Sequence, residues 1–274
     1  MKFSISVVCY ESSLIELQSL MNSIVDSIKH LRSQYDLSKI EIFIIDNSDK
    51  GTISSKLCRL EKRRLKNLKV DLCRIAGHGN IGYGRAHNLA LQLIDSNFHL
   101  VLNPDVTFEK DALFCGISLM NQNKDIKAIN PFSVDPGGNK QYLCKGYPSV
   151  FTLLIRSFGL AVLNKTFSRR LSSYEMHDLP EDKFTIREML LSGCFMLVDM
   201  ATLKAVNGFD EVYFLYFEDF DLSIRLSKFG KLAYAPQVRI THSGGKTSSK
   251  GSWHVWNFCK SGVRFFNTYG WRFL

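Results

Sequence analysis

Three short apolar runs, each closed by a polar cluster and set apart by helical stretches, constrain this chain more than any other feature. Phe3–Cys9 ends at Tyr10-Glu11-Ser12, Ile40–Ile45 ends at Asp46-Asn47-Ser48, and His99–Leu102 ends at Asn103-Pro104-Asp105. A fourth run, Val70–Ile75, lies between the last two. Leu14–Leu31 has a helical pattern, a basic helical stretch follows Asp46, and a glycine-rich turn leads into a helix from about Gly84 to Ile94. Strand and helix alternating at this spacing predict an α/β fold with a mostly parallel central sheet and helices on both faces. Ligands of such sheets bind beyond the carboxyl ends of the strands. The three polar clusters are therefore expected to share one cleft.

The second half is less regular. Ser133–Lys140 is a turn-rich connection, and residues 141–190 resist placement. Met189–Val198 reads as a strand, followed by a short helix from Ala201 and another over Asp219–Phe229. Strands are expected at Lys231–Ala235 and Val238–His242, and a last helix over Trp253–Tyr269. No internal repeat or low-complexity linker divides the 274 residues. One domain over 1–274 is expected, built of two halves, 1–130 and 131–274.

A net charge of +9 favours an anionic partner such as a nucleotide, a diphosphate or a phospholipid surface. Lys56, Arg59, Lys62, Arg63, Arg64, Lys66 and Lys69 crowd one helical stretch; such a run reads as a solvated face or as a contact for anionic lipid. Tyr147–Leu163, flanked by Lys145, Lys165, Arg169 and Arg170, reads either as a core or lid helix or as a membrane-surface segment. The charge also permits nucleic acid, but no recognisable binding module supports that rival. A nucleotidyltransferase would need a glycine-rich, basic signature after the first strand, and none is there. The seven cysteines form no C-x-x-C pair, which argues against a disulfide framework or a zinc knuckle. Neither a signal peptide nor an uninterrupted apolar stretch of about 18 residues is visible. A cytoplasmic protein is expected, peripheral at the inner face of the cytoplasmic membrane where its basic and aromatic segments meet lipid.

Five places could carry chemistry. Asp105, after a strand and Pro104, suits a divalent cation bridging a diphosphate, and equally suits a helix N-cap before Thr107 and Glu109. Asp46 suits a base or ribose contact, or an Asx turn with Asn47 and Ser48. The run Gly77-His78-Gly79-Asn80-Ile81-Gly82-Tyr83-Gly84-Arg85 lets backbone approach a ligand before a helix N-terminus, and is not a P-loop. Glu218, Asp219 and Asp221 lie among Tyr213, Phe214, Tyr216, Phe217 and Phe220. They read as caps of a helix start or as a general base with an environment-tuned pKa. His242 ends a strand before Ser243-Gly244-Gly245-Lys246-Thr247-Ser248-Ser249; it is structural or a metal or phosphate contact.

Together these pieces resemble family 2 glycosyltransferases of the GT-A fold. The resemblance runs from Ile5 to about Gly270. It rests on Ser6-Val7-Val8-Cys9-Tyr10, Ile45-Asp46-Asn47-Ser48, Gly79-Asn80-Ile81-Gly82-Tyr83-Gly84-Arg85-Ala86-His87-Asn88, Leu102-Asn103-Pro104-Asp105-Val106, Ser192-Gly193-Cys194-Phe195, Gly208-Phe209-Asp210-Glu211 and Phe217-Glu218-Asp219-Phe220-Asp221-Leu222. It implies donor contacts from Tyr10, Glu11, Asp46, Asn80, Gly82, Arg85, Asn103 and Asp105, with Arg85 near the diphosphate. It implies Mg²⁺ or Mn²⁺ on Asp105 and His242, and Asp219 as base with Glu218 as the alternative. Asn103 replaces the first acid of the D-x-D motif, which weakens the expected hold on metal. The Asn-Pro-Asp form, Lys145-Gly146-Tyr147-Pro148-Ser149-Val150 and Ser261-Gly262-Val263-Arg264-Phe265-Phe266 are similar to the rhamnosyltransferase branch. That branch implies transfer of L-rhamnose from dTDP-β-L-rhamnose, with inversion, to a saccharide on undecaprenyl pyrophosphate in O-antigen (lipopolysaccharide) and related polysaccharide assembly. A UDP- or GDP-sugar donor is the alternative within the family.

Overall fold

The computed structural model describes residues 1–158, 165–244 and 251–274. Ten strands form one sheet: β1 (Lys2–Cys9), β2 (Lys39–Asp46), β3 (Asp71–Ala76), β4 (Phe98–Leu102), β5 (Val106–Phe108), β6 (Ile126–Val134), β7 (Lys140–Gln141), β8 (Thr185–Ile186), β9 (Phe195–Asp199) and β10 (Lys231–His242). The main order is β3-β2-β1-β4-β9-β6-β10-β5. β1 to β4 run parallel, as the alternation predicts. β9 is antiparallel to both β4 and β6, so the sheet is mixed at its centre.

The described helices are α1 (Leu14–Gln34), α2 (Thr52–Asn67), α3 (Tyr83–Leu91), α4 (Ala112–Gln122), α5 (Val150–Phe158), α6 (Ser168–Tyr174), α7 (Met200–Ala205), α8 (Glu218–Ser227) and α9 (Ser252–Tyr269). α1 starts at Ser13, which forms a capping box with Glu16 and satisfies two otherwise unpaired donors. Its Leu17, Leu20, Met21, Ile24, Ile28 and Leu31 recur every three or four residues and are all buried. Each contributes about 1.5–3 kcal/mol by leaving water, so Ile24→Ala alone should cost about 2–5 kcal/mol. The strand period of two splits β1: Phe3, Ile5 and Val7 join the layer against α1 and α4, while Val8 joins the opposite layer with Ala86 and Ala90 of α3. A third, aromatic cluster holds α9 through Phe265 and Phe266 against Tyr213, Phe217 and Tyr174.

Several expectations are corrected. The strand expected over Met189–Val198 begins only at Phe195, because residues 189–194 are irregular apart from a bridge between Lys145 and Leu190. The two strands expected at 231–242 are one, with a register shift between Ala235 and Arg239. That shift contains Pro236, which has no N–H to give a ladder and is tolerated at a bulge. Of the Tyr147–Leu163 segment, Val150–Phe158 is helical, and residues 159–163 lie outside the described residues, as do Gly245-Lys246-Thr247-Ser248-Ser249. The basic run falls on α2, which buries Leu57 and Leu65 and turns most of its cations to solvent.

Candidate active site

The strand ends do converge. Asn103 donates its N–H to the carbonyl of Cys194 at 2.8 Å, joining the end of β4 to the entry of β9. Asp105 is followed by β5 and not by a helix, and the next helix has Asp111 as its N-cap. The capping alternative for Asp105 is therefore excluded. β5 pairs antiparallel with β10, with Val106 opposite His242. This register sets His242 beside Asp105, Nε2 to Oδ1 3.5 Å.

The tautomer of His242 follows from its other neighbour. Gln141 donates its amide N–H groups to the carbonyls of His242 (3.0 Å) and Gly244 (3.2 Å), which leaves its Oε1 facing His242 Nδ1 at 3.1 Å. An amide oxygen only accepts, so Nδ1 carries a proton, and in the neutral imidazole Nε2, beside Asp105, is the nitrogen that can bind a cation. A carboxylate oxygen and an imidazole nitrogen so aimed suit a divalent cation. Gly244 closes over the pair: a Cβ there would overlap Asp105 Oδ2 and lie 3.0 Å from His242 Nε2. Among the described residues no group of three or more His, Cys, Asp or Glu side chains is placed to hold a metal. Asp105 and His242 fit part of the ligand shell of a divalent cation.

The other candidate donor residues lie at the same sheet edge with different degrees of engagement. Tyr10 is half-exposed, and Glu11 has a left-handed backbone at φ 50°. Asp46 is buried and makes the Asx turn, accepting from the backbone N–H of Ser48 at 2.9 Å and from its hydroxyl. Asn47 donates to the carbonyl of Gly82 at 3.0 Å, and Asn80 Oδ1 accepts the Gly82 N–H at 3.2 Å. Gly82 itself sits at φ 95°, where a Cβ would come within 2.5 Å of the Phe214 carbonyl oxygen. Only glycine permits that approach. The Arg85 guanidinium pairs with Glu211 at 3.1 Å on the exposed face of α3. The His87-Asn88 part of the motif is structural. His87 is fully buried against Ser6 (2.6 Å), and Asn88 bonds both backbone groups of Phe209 at 2.9 Å.

The three carboxylates at the start of α8 have separate roles. Asp221 is tied to Arg225 at 2.6 Å and accepts from Tyr269 at 2.6 Å, so it is a structural pair. Asp219 accepts from the N–H of Gly193 at 3.1 Å and of Phe220 at 2.9 Å, bonds that favour its ionised form. Glu218 is buried, and one of its oxygens meets no hydrogen-bond partner among the described residues. Burial pushes the pKa of both groups up, and the charge of Asp219 pushes Glu218 further. The larger upward push on Glu218 makes Asp219 the more readily ionised of the two. Lys145 was not foreseen as part of this site. Its buried ammonium is pushed down to about 8 by burial and by Arg156, and its charge draws the Asp219 pKa back down. The backbone before α8 is strained, with Tyr216 and Phe217 both left-handed at φ 69° and 65°. That costs of order 1–3 kcal/mol per residue. It is held by Phe217 packing on Phe258 (5.1 Å) and Phe265 (5.3 Å).

Over 97% of its length the chain superposes on the mannosyltransferase PcManGT from Pyrobaculum calidifontis, solved with GDP-Man and Mn²⁺, at a TM-score of 0.60 and 14% identity, covering 63% of that chain. GalNAc-T7, solved with UDP, GalNAc and Mn²⁺, gives 0.62 at 15% identity, over 97% of this chain and 48% of that one. The fold is GT-A. No protein-family profile matches the sequence. In sequence the chain is 31% identical over 173 residues to the rhamnosyltransferase WbbL of Escherichia coli, covering 60% of this chain and 61% of that protein. It is 28% identical over 218 residues to the N-acetylglucosaminyl-diphospho-decaprenol L-rhamnosyltransferase of Mycobacterium tuberculosis, covering 74% and 66%. The chain thus spans a little under two thirds of the length of these relatives, which are rhamnosyltransferases. No described helix of this GT-A chain is long and apolar enough to cross a membrane.

Proposed function

We propose that the chain is an inverting glycosyltransferase that moves L-rhamnose from dTDP-β-L-rhamnose to a saccharide carried on a lipid diphosphate. The observation that carries this reading is the loop 193–194. Gly193 donates to Asp219 while Cys194 accepts from Asn103, so one turn of backbone couples the base to the Asn-Pro-Asp strand end. In the reaction the acceptor hydroxyl attacks the anomeric carbon, Asp219 takes its proton, and the nucleoside diphosphate leaves with the bonding electron pair. A single displacement inverts the centre and needs one base and no enzyme nucleophile. Asp219 meets that need because its two N–H bonds and Lys145 offset burial enough to keep it ionised.

Asp105 and His242 would hold Mg²⁺ or Mn²⁺, which when bound neutralises diphosphate charge. Asp46, Asn80 and Gly82 line the base and ribose side, with Tyr10, Glu11 and Asn103 along the same edge. Residues 1–130 supply most donor contacts and 131–274 the base and acceptor side, on the inner face of the cytoplasmic membrane in cell-surface polysaccharide synthesis. Thermal shift with dTDP-, UDP- and GDP-nucleotides, each with Mn²⁺ or chelator, tests the reading. Stabilisation by dTDP that needs the metal is expected. Preference for UDP or GDP would change the donor, and no shift with any nucleotide would remove the proposed function.

A further inference from the structure

A cavity of about 650 Å³ opens between α5, α6 and the segment after α9, outside the donor site. Its lining includes Tyr147, Thr152, Arg169, Arg170, Tyr174 and Arg272. We propose that this cavity binds the diphosphate of the lipid-linked acceptor. The inference rests on the glycosyltransferase reading only for the identity of the molecule that carries the diphosphate.

The cavity is built by tertiary contacts. The carbonyls of Arg272 and Phe273 accept the N–H groups of Val150 and Phe151 at 2.8 and 3.1 Å, which fastens the segment after α9 to the start of α5. Two guanidinium groups are held over aromatic faces, Arg272 at 4.1 Å from the Tyr147 ring and Arg170 at 5.6 Å from Phe151. Neither they nor Arg169 meets a carboxylate within ion-pair distance among the described residues. The nearby acid, Glu175, is taken by Arg156 at 3.3 Å, His177 at 3.1 Å and Lys145 at 3.8 Å. Three guanidinium forks around one concavity, with no Asp or Glu side chain in its lining, match the charge and geometry of a diphosphate diester.

The cavity's position fits an acceptor. Its Tyr174 wall is shared with the active site: Gly146 donates to the Tyr174 carbonyl at 2.8 Å, and Lys145 lies 5.9 Å from the Tyr174 ring while acting on Asp219. A sugar attached to a diphosphate held here would reach towards the base. The same segments carry the exposed apolar side chains Leu154, Trp271 and Phe273, the last two stacked at 5.6 Å. These suit the first isoprene units at a membrane surface.

Titration of a short-chain isoprenyl diphosphate, read by tryptophan fluorescence without donor, tests the proposal. The wild type should bind it at least tenfold tighter than the matching monophosphate, and R170Q/R272Q should lose that preference at unchanged Tm. Should that variant melt early, R169Q carries the same comparison with a loss of at least threefold expected. Equal affinity of variant and wild type for the diphosphate would overturn the proposal. Phosphatidylglycerol vesicles form the second arm, where wild type and variant should bind within twofold of each other. Loss of vesicle binding without any diphosphate preference would instead make this a phospholipid contact and sink the idea. Failure of the glycosyltransferase reading shows separately, as absence of any nucleotide-dependent thermal shift.

Discussion

Asp105 and Asp219 serve the same proposed reaction, but the chain brings them to it by different physics. Asp105 stands at the end of a short, wholly buried strand, and its place follows from the sheet: once β4 and β5 form, the carboxylate has one edge to occupy. Asp219 stands after two left-handed aromatic residues on a segment with no strand to aim it, and its place depends on α9 and Gly193. The first half of the site is therefore positioned by backbone hydrogen bonds and the second by packed side chains. The half built on the ladder should tolerate substitution of its neighbours. The half built on packing should respond to each of them.

The sharpest division between the halves is Asp219→Asn. An amide keeps the size and cannot take the proton, so kcat should fall by about 10²–10⁴. Donor affinity, measured by thermal shift or calorimetry, should stay within about threefold, because no donor contact is removed. Turnover near that of the wild type would move the base to Glu218. In the proposed reaction Asp219 must be ionised, and its pKa is raised by burial. The acid limb of kcat should therefore lie at higher pH than an ordinary aspartate would give. Lys145→Met, by removing a neighbouring positive charge, should move it higher still.

Asp105→Ala tests the other half. Nucleotide affinity in Mn²⁺ should fall by about tenfold or more, while affinity in chelator stays unchanged, and the acid limb of residual activity should not move. A shifted limb would mean that the two carboxylates titrate together and that the division is false.

What the sequence made legible follows the same line. The strand ends, the parallel first half and the residues Asp46, Asp105, Asp219 and His242 could be named from period, position and resemblance, because a strand end is a local feature. Three things could not. The antiparallel β9 between β4 and β6 depends on partners about 70 and 100 residues away. Arg85, placed near the diphosphate by resemblance, pairs with Glu211, 126 residues away in the chain. Lys145 and Gln141 lay in the stretch with no readable pattern. Each owes its role to a contact across the sheet or the aromatic cluster, and no spacing rule encodes such a contact.

Gln141→Leu probes the side chain that orients His242. The amide fixes the proton of His242 on Nδ1 and frees Nε2. Its loss should weaken Mn²⁺ binding by about 10-fold, within the usual range for removing an outer partner of a ligating histidine. Electron paramagnetic resonance of free Mn²⁺, with nucleoside diphosphate present, reads this without turnover. Unchanged affinity would show that β10 alone orients the imidazole.

The smallest effect concerns stability, and it separates Glu218 from its neighbour. Burial raises the folded-state pKa of Glu218 above its unfolded value. The folded protein thus binds that proton more tightly, and stability is lost as pH rises from the unfolded pKa through the folded one, by up to about 1.4 kcal/mol per pH unit. Glu218→Gln replaces the titrating group with one that is always neutral. The variant should match the wild type near pH 5 and melt a few degrees higher near pH 8. Asp219→Asn should gain less, because it also weakens acceptance of the Gly193 and Phe220 N–H groups that the ionised form favours. A gain for Glu218→Gln that does not grow with pH would mean that Glu218 is ionised in the folded protein. Asp219 would then carry the proton of the pair and could not act as the base.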